Sequence, residues 1–287
     1  MEHTNTTHNA EQDLDLMRLI ESIHVGQTRH YRRGCILYWQ GDPVEAIFMI
    51  KKGAVKVSSV STDGRTYTYS VLGPGGLVGA ETLLLGKDHE ALAEAVEDTE
   101  VLSISAKEFE RLLREDHNFC LLVMRKMAQD VHLMANRMRA FNLLDVQQRL
   151  KSSLIELANE HGVVTEKGIK IDIHLTHEEI GEIVAANRTT ITACLSELRR
   201  QGYLWKEGRR LFIIPPEQIE ILDNLDQAVV DGSEEEAIRY ALAAVGKCID
   251  PYKALEALSS GMRRVDRIGC MPAARSMSRM WCSLHSP

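Results

Sequence analysis

Met124, Met127, Val131, Met134, Met138 and Phe141 recur at intervals of 3, 4, 3, 4 and 3 residues. That alternation keeps a narrow apolar stripe on one side of an α-helix. It is the register in which two helices pack along their length. A helix lying on its own β domain needs a broader apolar face. The stripe therefore predicts a dimerisation helix over 116–143, with these six residues as the dimer seam. It also separates two differently patterned halves of the chain.

The N-terminal half reads as β structure. Cys35-Ile36-Leu37-Tyr38-Trp39 runs into Gly41-Asp42, and Ala46 to Ile50 leads to Lys52-Gly53. Ala54-Val55-Lys56-Val57-Ser58 alternates up to Asp63-Gly64, and Thr66 to Leu72 stops at Gly73-Pro74-Gly75-Gly76. Short strands cut by regular turn signals suggest a sandwich or barrel. The polar, acidic start predicts a flexible segment over 1–20, followed by a β-sandwich sensing domain over 21–115. Ser105 with Glu108 has capping-box spacing and starts the helices.

The C-terminal half turns helical. Leu150, Leu154, Leu157 and Ala158 share one face of a helix over about 146–160, and Ile169 to Ile173 alternates as a strand. Thr176 and Glu179 then have capping-box spacing, with Ile180, Ile183 and Val184 as the buried stripe. The small Ala185-Ala186 pair permits a close turn. Asn187 is suited to cap the next helix, on which Ile191, Leu195 and Leu198 face inward. Arg188, Thr189 and Thr192 fall on the other side near the helix N-terminus, the end with which a recognition helix enters the major groove. Arginine can donate two hydrogen bonds to guanine, and threonine can touch a thymine methyl or a phosphate. Tyr203 to Lys206, Gly208-Arg209-Arg210 and Leu211 to Ile214 form a hairpin wing. The order strand, helix, turn, helix, hairpin predicts a winged helix-turn-helix over 144–216. Arg188, Thr189 and Thr192 are the candidate base readers; Thr176, His177, Asn187 and Arg209 are the candidate phosphate contacts.

Charge sharpens this reading. The chain carries a net charge of −7, so any DNA contact must be local. From Arg188 to Arg210 six cations face two anions. No apolar run approaches the ~18 residues of a membrane span. The start lacks the cationic and apolar regions of a secretory signal, which predicts a cytoplasmic location and no membrane partner. The 6 cysteines form no C-x-x-C pair, so zinc and iron–sulfur sites lack their spacing and no metal is expected. Neither a nucleophile–base pair nor the ligand spacing of a cupin enzyme occurs, so no catalytic residue and no enzyme activity are expected.

With these motifs in hand, residues 31–215 resemble the CRP/FNR family of transcription regulators. Gly34, Gly41-Asp42, Lys52-Gly53-x-Val55, Asp63-Gly64-Arg65 and Leu72 to Gly79 carry the likeness, as does the run Ala93 to Val101. The resemblance implies an α+β multidomain fold. Its parts are a cyclic-nucleotide-binding-like β-sandwich (a jelly roll), a long dimerisation helix and a winged helix-turn-helix. It further implies a homodimer that binds a palindromic operator in double-stranded DNA and contacts RNA polymerase. A signal in the sandwich would reorient the reading heads about a hinge near 141–145. Gly79, Glu81, Thr82 and Met127 are the corresponding effector-pocket candidates.

Two departures from the family pattern stand out. Gly79-Ala80-Glu81 displaces the expected glutamate by one, and His89-Glu90-Ala91 stands where an arginine is expected. A phosphodiester needs a cation or a helix N-terminus to offset its desolvation, and Glu90 would repel it. Cyclic AMP is therefore not the expected signal; no cofactor is expected and the effector is left open. In the reading head, relatives often carry glutamate at the position of Thr189 and arginine at that of Ala193, so the operator should differ from theirs.

Past Pro216 the family pattern ends. Asp231-Gly232, Glu234-Glu235-Glu236-Ala237, Ile249-Asp250-Pro251 and Gly261-Met262 resemble the helical cap of corrinoid methyltransferase proteins. That predicts a small helical appendage over 217–265. No Asp-x-His-x-x-Gly cobalt-ligand motif follows, so stable cobalamin binding is not expected. Residues 266–287 lose all periodicity and are expected to be disordered. The leading expectation is a DNA-binding regulator; the alternative is an accessory protein of a corrinoid methyltransferase system with a docking winged helix.

Overall fold

The computed structural model describes residues 15–20, 22–165, 168–247, 249, 253–254 and 257–262. The tail expected to be disordered lies outside them. The described residues fall into two compact units. One draws on 1–163, 170–194 and 208–210, the other on 164–169, 195–207 and 211–287.

In the first unit, β1 (Gln27–Tyr31), β2 (Ile36–Tyr38), β3 (Ala46–Lys52), β4 (Val55–Val60), β5 (Thr66–Leu72), β6 (Leu77–Val78), β7 (Leu92–Ala95) and β8 (Thr99–Ser105) form two sheets. Their orders are β1-β8-β3-β6 and β2-β7-β4-β5. A short helix, α1 (Ala80–Leu85), interrupts the strands, and α2 (Ala106–Glu115) and α3 (His117–Leu143) follow them. The unbroken apolar run in β3 has a structural reason. Phe48 and Ile50 face a core with Tyr38, Val55, Val57 and Ala93. Ile47 and Met49 face the opposite side of the same sheet, where Phe109 of α2 and Phe119 and Val123 of α3 pack. A strand buried on both faces shows no alternation. Full burial of Phe109 and Phe119 contributes roughly 2–3 kcal/mol each.

The structured region begins before residue 20. Residues 15–20 are helical, and Leu16 and Ile20 are buried in the cluster of Phe109 and Phe119. Their apolar spacing stabilises a turn of helix that the polar composition around it concealed. This corrects the flexible segment expected over 1–20 for its last residues.

Asp116 caps α3, its carboxylate accepting from Phe119 N at 3.0 Å. Leu144 is extended, and Asp145 then caps α4 (Val146–His161) in a full capping box with Gln148. The expected seam is two-sided. Met124, Val131, Met134 and Met138 are exposed, whereas Met127 packs on the cluster of Leu16 and Phe119. Phe141 meets Tyr67 edge-on at 5.7 Å, and the Arg149 guanidinium lies 5.4 Å from its ring. Met127 and Phe141 are thus half-buried within their own protomer.

Strands β9 (Gly162–Thr165), β10 (Gly168–Ile171), β11 (Leu204–Glu207) and β12 (Arg210–Ile213) make a third sheet of order β11-β12-β10-β9. Helices α5 (His177–Val184) and α6 (Arg188–Arg200) precede β11, and α7 (Pro216–Val230) and α8 (Glu234–Gly246) follow β12. In the second unit Trp205 stacks on Phe212 at 5.5 Å, and Tyr203 Oη donates to Asp223 Oδ1 at 2.9 Å. Ile219, Leu222, Leu225, Ala228 and Val229 form the buried stripe of α7, which packs against α8.

Candidate DNA interface and effector cassette

The helix-turn-helix is set by local chemistry. Thr176 Oγ1 accepts from Glu179 N at 3.2 Å, and Thr176 N donates to Glu179 Oε2 at 2.6 Å. Both side chains are thereby committed to starting α5. The turn out of α5 depends on two small residues. Ala185 adopts φ 53°, and a Cβ on Gly181 would lie 2.5 Å from the Ala186 carbonyl oxygen. The sequence suggested Ala185 and Ala186 as the source of the close turn, but Gly181 supplies the room. Asn187 Oδ1 then accepts from Thr190 N at 2.8 Å and caps α6.

On α6, Ile191, Leu195 and Leu198 are buried, whereas Arg188, Thr189, Thr192, Ala193, Ser196 and Arg199 are exposed. The exposed residues recur at helical spacing, so they form one solvent-facing stripe that begins at the amino end. Thr192 Oγ1 donates to the Arg188 carbonyl at 2.8 Å and lies 2.8 Å from His177 Nδ1. Its single proton is used on the carbonyl, so His177 donates from Nδ1. His177 thus orients Thr192, a link invisible in the sequence. Arg209 is exposed in the β11–β12 turn beside Gly208, whose φ is 59°.

The local positive field is smaller than the count of cations implied. Arg210 reaches Asp172 at 3.5 Å and Glu97 at 3.8 Å, and Arg200 pairs with Glu197. Arg188, Arg199, Lys206 and Arg209 make no ion pair among the described residues and are exposed.

The cassette around α1 is closed by a histidine. Gly79, at φ 87°, starts the helix, and its carbonyl accepts from Thr82 Oγ1 at 3.1 Å. His89 is only 3% exposed and stacks on Tyr38 with ring centroids 3.5 Å apart and planes 6° from parallel. Its Nδ1 lies 3.3 Å from Thr82 Oγ1, and its Cε1 stands 2.9 Å from where a Gly79 Cβ would be. The main chain of His89 is fixed as well: His89 N donates to the Asp42 carbonyl at 2.9 Å, and Gly41 N donates to the His89 carbonyl at 2.7 Å. Burial pushes the His89 imidazolium down, against the pull of Asp42 and Asp88, and keeps the ring neutral. Burial, then the neighbouring Glu81 carboxylate, pushes the Tyr38 phenol up, and Tyr38 Oη is buried with no hydrogen-bond partner among the described residues.

A cyclic nucleotide entering beside Gly79 would meet the His89 ring. A phosphodiester needs a cation or a helix N-terminus there. Of these, the residues of the cassette supply only the amino end of the short helix α1. The cassette offers a neutral imidazole, a phenol and a carboxylate. Glu90 is not the obstacle that the sequence suggested: its carboxylate is exposed and pairs with Lys87 Nζ at 2.8 Å. The obstruction is His89, which occupies the space beside Gly79.

A sandwich with a glycine-started cassette, on one chain with a capped helix-turn-helix, is the arrangement of a DNA-binding regulator. Residues 28–116 match the cyclic nucleotide-binding domain, and residues 148–220 match the Crp-like helix-turn-helix domain. The chain is 30% identical over 188 residues to the global nitrogen regulator of Synechocystis sp. (strain ATCC 27184 / PCC 6803 / Kazusa), covering 65% of this chain and 84% of that relative. It is 28% identical over 191 residues to the anaerobic regulatory protein of Bacillus subtilis (strain 168), covering 66% and 79%. This chain belongs to the CRP/FNR family of transcription regulators. Among solved structures, FixK2 from Bradyrhizobium japonicum aligns with a TM-score of 0.61 at 22% identity, over 68% of this chain and 96% of that one. A CooA variant from Carboxydothermus hydrogenoformans aligns with a TM-score of 0.60 at 21% identity, over 71% and 94%. At such identities these two likenesses speak for the fold alone. The relatives are regulators and not enzymes. Among the described residues no helix is long and apolar enough to cross a membrane.

Proposed function

We propose that this regulator works as a homodimer on a palindromic operator and contacts RNA polymerase there. Arg188, Thr189 and Thr192 read base edges. Asn187, Thr176, His177 and Arg209 position the head on phosphates. The observation that carries this reading is the exposed stripe on α6, with Arg188 unpaired at its amino end. Thr176 and Asn187 use their side chains as caps, so their share of phosphate binding comes chiefly from the helix amino ends they hold open. Met124, Val131, Met134 and Met138 form the seam between two copies of α3 and exclude water there.

The sandwich senses a signal other than a cyclic nucleotide. The extended Leu144 between α3 and α4 supplies the hinge about which the reading head moves. The segment over 217–265 is proposed, on its sequence pattern alone, to be a corrinoid-cap-like appendage.

The test is selection of bound sequences from random duplexes, followed by titration of the selected duplex against salt. A palindromic consensus is expected, with affinity that falls steeply as salt rises. Arg188→Ala should lose about 1–3 kcal/mol and relax specificity at one base pair of each half-site. A protein that selects no sequence and ignores duplex at low ionic strength refutes the reading.

A further inference from the structure

Beside the closed cassette the sandwich has a second opening. A cavity of about 650 Å³ lies at the mouth between the sheets, within the range of small-molecule sites. Tyr38 and Phe48 give it an aromatic floor, stacked with ring centroids 6.3 Å apart. Ser103 adds a hydroxyl from β8. None of Gly79, Glu81, Thr82 and Met127 lines it, so it is not the pocket expected from the family pattern.

Charge at the rim decides what it would hold. Arg29 of β1 and Glu45 just before β3 both line the cavity, and both are exposed. Neither makes a side-chain hydrogen bond or an ion pair among the described residues, with the other or elsewhere. Asp42, also on the rim, accepts from Trp39 N at 2.8 Å and is already engaged in a turn. Glu108, the remaining carboxylate of the lining, pairs with Arg111 at 2.7 Å. Arg29 and Glu45 are each left to a third party that carries both signs. We infer that the mouth of the sandwich binds a small zwitterion, an amino acid or an amino-acid-like compound. Its carboxylate meets Arg29, its ammonium meets Glu45, and its apolar body lies on Tyr38 and Phe48. A carboxylate on a guanidinium makes paired, charge-assisted hydrogen bonds. An ammonium with an aromatic face nearby gains further attraction.

The position explains how occupancy would be felt. Tyr38 and His89 line this cavity and also close the cassette, so they form one wall shared by the two spaces. A ligand resting on Tyr38 presses on the stack that fills the space beside Gly79. This use as a sensor rests on the proposal that the sandwich is the signal domain; the binding itself does not.

The test uses the full chain with each common L-amino acid in turn at millimolar concentration, read by thermal shift and then by titration calorimetry. At least one is expected to raise the unfolding temperature and bind. Its deaminated and its decarboxylated analogues should each bind at least about tenfold more weakly, since each forfeits one charge-assisted contact. Arg29→Ala and Glu45→Gln should show the same loss; both sites are exposed, and circular dichroism confirms that the variants fold. The inference is overturned if no amino acid binds, or if binding survives Arg29→Ala unchanged. Duplex affinity is measured separately. Failure of ligand binding with duplex binding intact removes the cavity and leaves the regulator; the reverse result removes the regulator reading and leaves the cavity.

Discussion

Lys56 of β4 and Glu182 of α5 meet Nζ to Oε2 at 3.5 Å, and Thr68 Oγ1 donates to the same carboxylate oxygen at 3.1 Å. Glu94 stands on the other side of the ammonium at 3.2 Å, and Lys56 is only 8% exposed. Burial pulls the lysine down, but the Glu182 and Glu94 carboxylates outweigh it and hold the ammonium above its usual range. The pairing ties the first helix of the reading head to the sensing sheet. Arg33 makes a parallel tie, with Nη2 3.2 Å from both Glu179 carboxylate oxygens and Nη1 donating to the His174 carbonyl at 2.9 Å. Removing Lys56 leaves two half-buried carboxylates without their shared cation. Lys56→Ala is expected to cost about 1.5–3 kcal/mol, the range for charge-assisted bonds to partly solvated partners. Glu182→Gln keeps the bond from Thr68 and should cost less than half of that. Urea unfolding of the two variants checks the order, and equal losses would contradict it.

The contact between Gly181 and the Ala186 carbonyl sets a second expectation. Gly181→Ala places a methyl 2.5 Å from a backbone oxygen that is fixed by the bond from Ala186 N to the Gly181 carbonyl. Backbone cannot yield as a side-chain tip can, so the variant should lose about 2–4 kcal/mol and its duplex binding. Gly246→Ala meets nothing within 4 Å at the end of α8 and serves as the control. It should be neutral or stabilising by up to roughly 1 kcal/mol, since alanine favours helix.

Acid should weaken the fold through two buried histidines. Burial lowers His161, opposed by its bond to the Val71 carbonyl at 2.9 Å, and burial lowers His89. Both fold neutral, with native values below the unfolded one. Their contribution is complete above pH about 6.5 and is lost as pH falls through the native values. Each group can remove up to about 1.4 kcal/mol per pH unit in that window. The unfolding temperature should fall below about pH 6 as the two histidines protonate. Glu160 beside His161, pushed up to about 8 by burial, adds a separate loss as pH rises toward 8. His161→Gln should flatten that fall, because an amide donates to Val71 without titrating. An unchanged acid limb in His161→Gln and in His89→Gln would show that the carboxylates set it instead.

The seam predicts how the protein assembles. Met138 is 66% exposed in one chain. Met138→Lys places a charge on the stripe and should convert a dimer into a monomer by sedimentation, with the isolated fold intact. Binding to a palindromic duplex should then fall by orders of magnitude, because the two half-sites no longer share one protein. A wild-type chain that sediments as a monomer would remove the seam.

Arg188 and Arg209 should separate by their response to salt. Arg188→Ala is expected to lower discrimination between sequences. Arg209→Ala should weaken all duplexes alike and reduce the salt slope by about 1. If both substitutions act only through the salt slope, the arginine on α6 contacts phosphate and not a base.

Much of this site was readable in advance because its causes are local. Thr176 with Glu179, and Asn187, announce helix starts through bonds spanning a few residues. The stripe Ile191, Leu195 and Leu198 faces inward because of helical spacing alone. The Asp145–Gln148 capping box had the same spacing signature and could have been found by it. Other features had no such mark. Met127 and Phe141 fit the heptad as well as Met138 does, yet Met127 also packs on the cluster of Leu16 and Phe119, and Phe141 also meets Tyr67 and Arg149, partners outside the helix.

The sequence by itself determined the order of parts: strands, a long helix, a capped helix pair and a hairpin, with Arg188 at the amino end of the reading helix. Each follows from periodicity, glycine turns or capping, which act over a few residues and survive in any context. The tertiary structure alone decided which charges remain available and which space is filled. Arg210 is drawn to Asp172 and Glu97, Lys56 bridges Glu94 and Glu182, and His89 lies on Tyr38 beside Gly79. Those outcomes depend on which groups the folded chain brings within a few ångströms while excluding water, and neither distance nor desolvation is written in residue order.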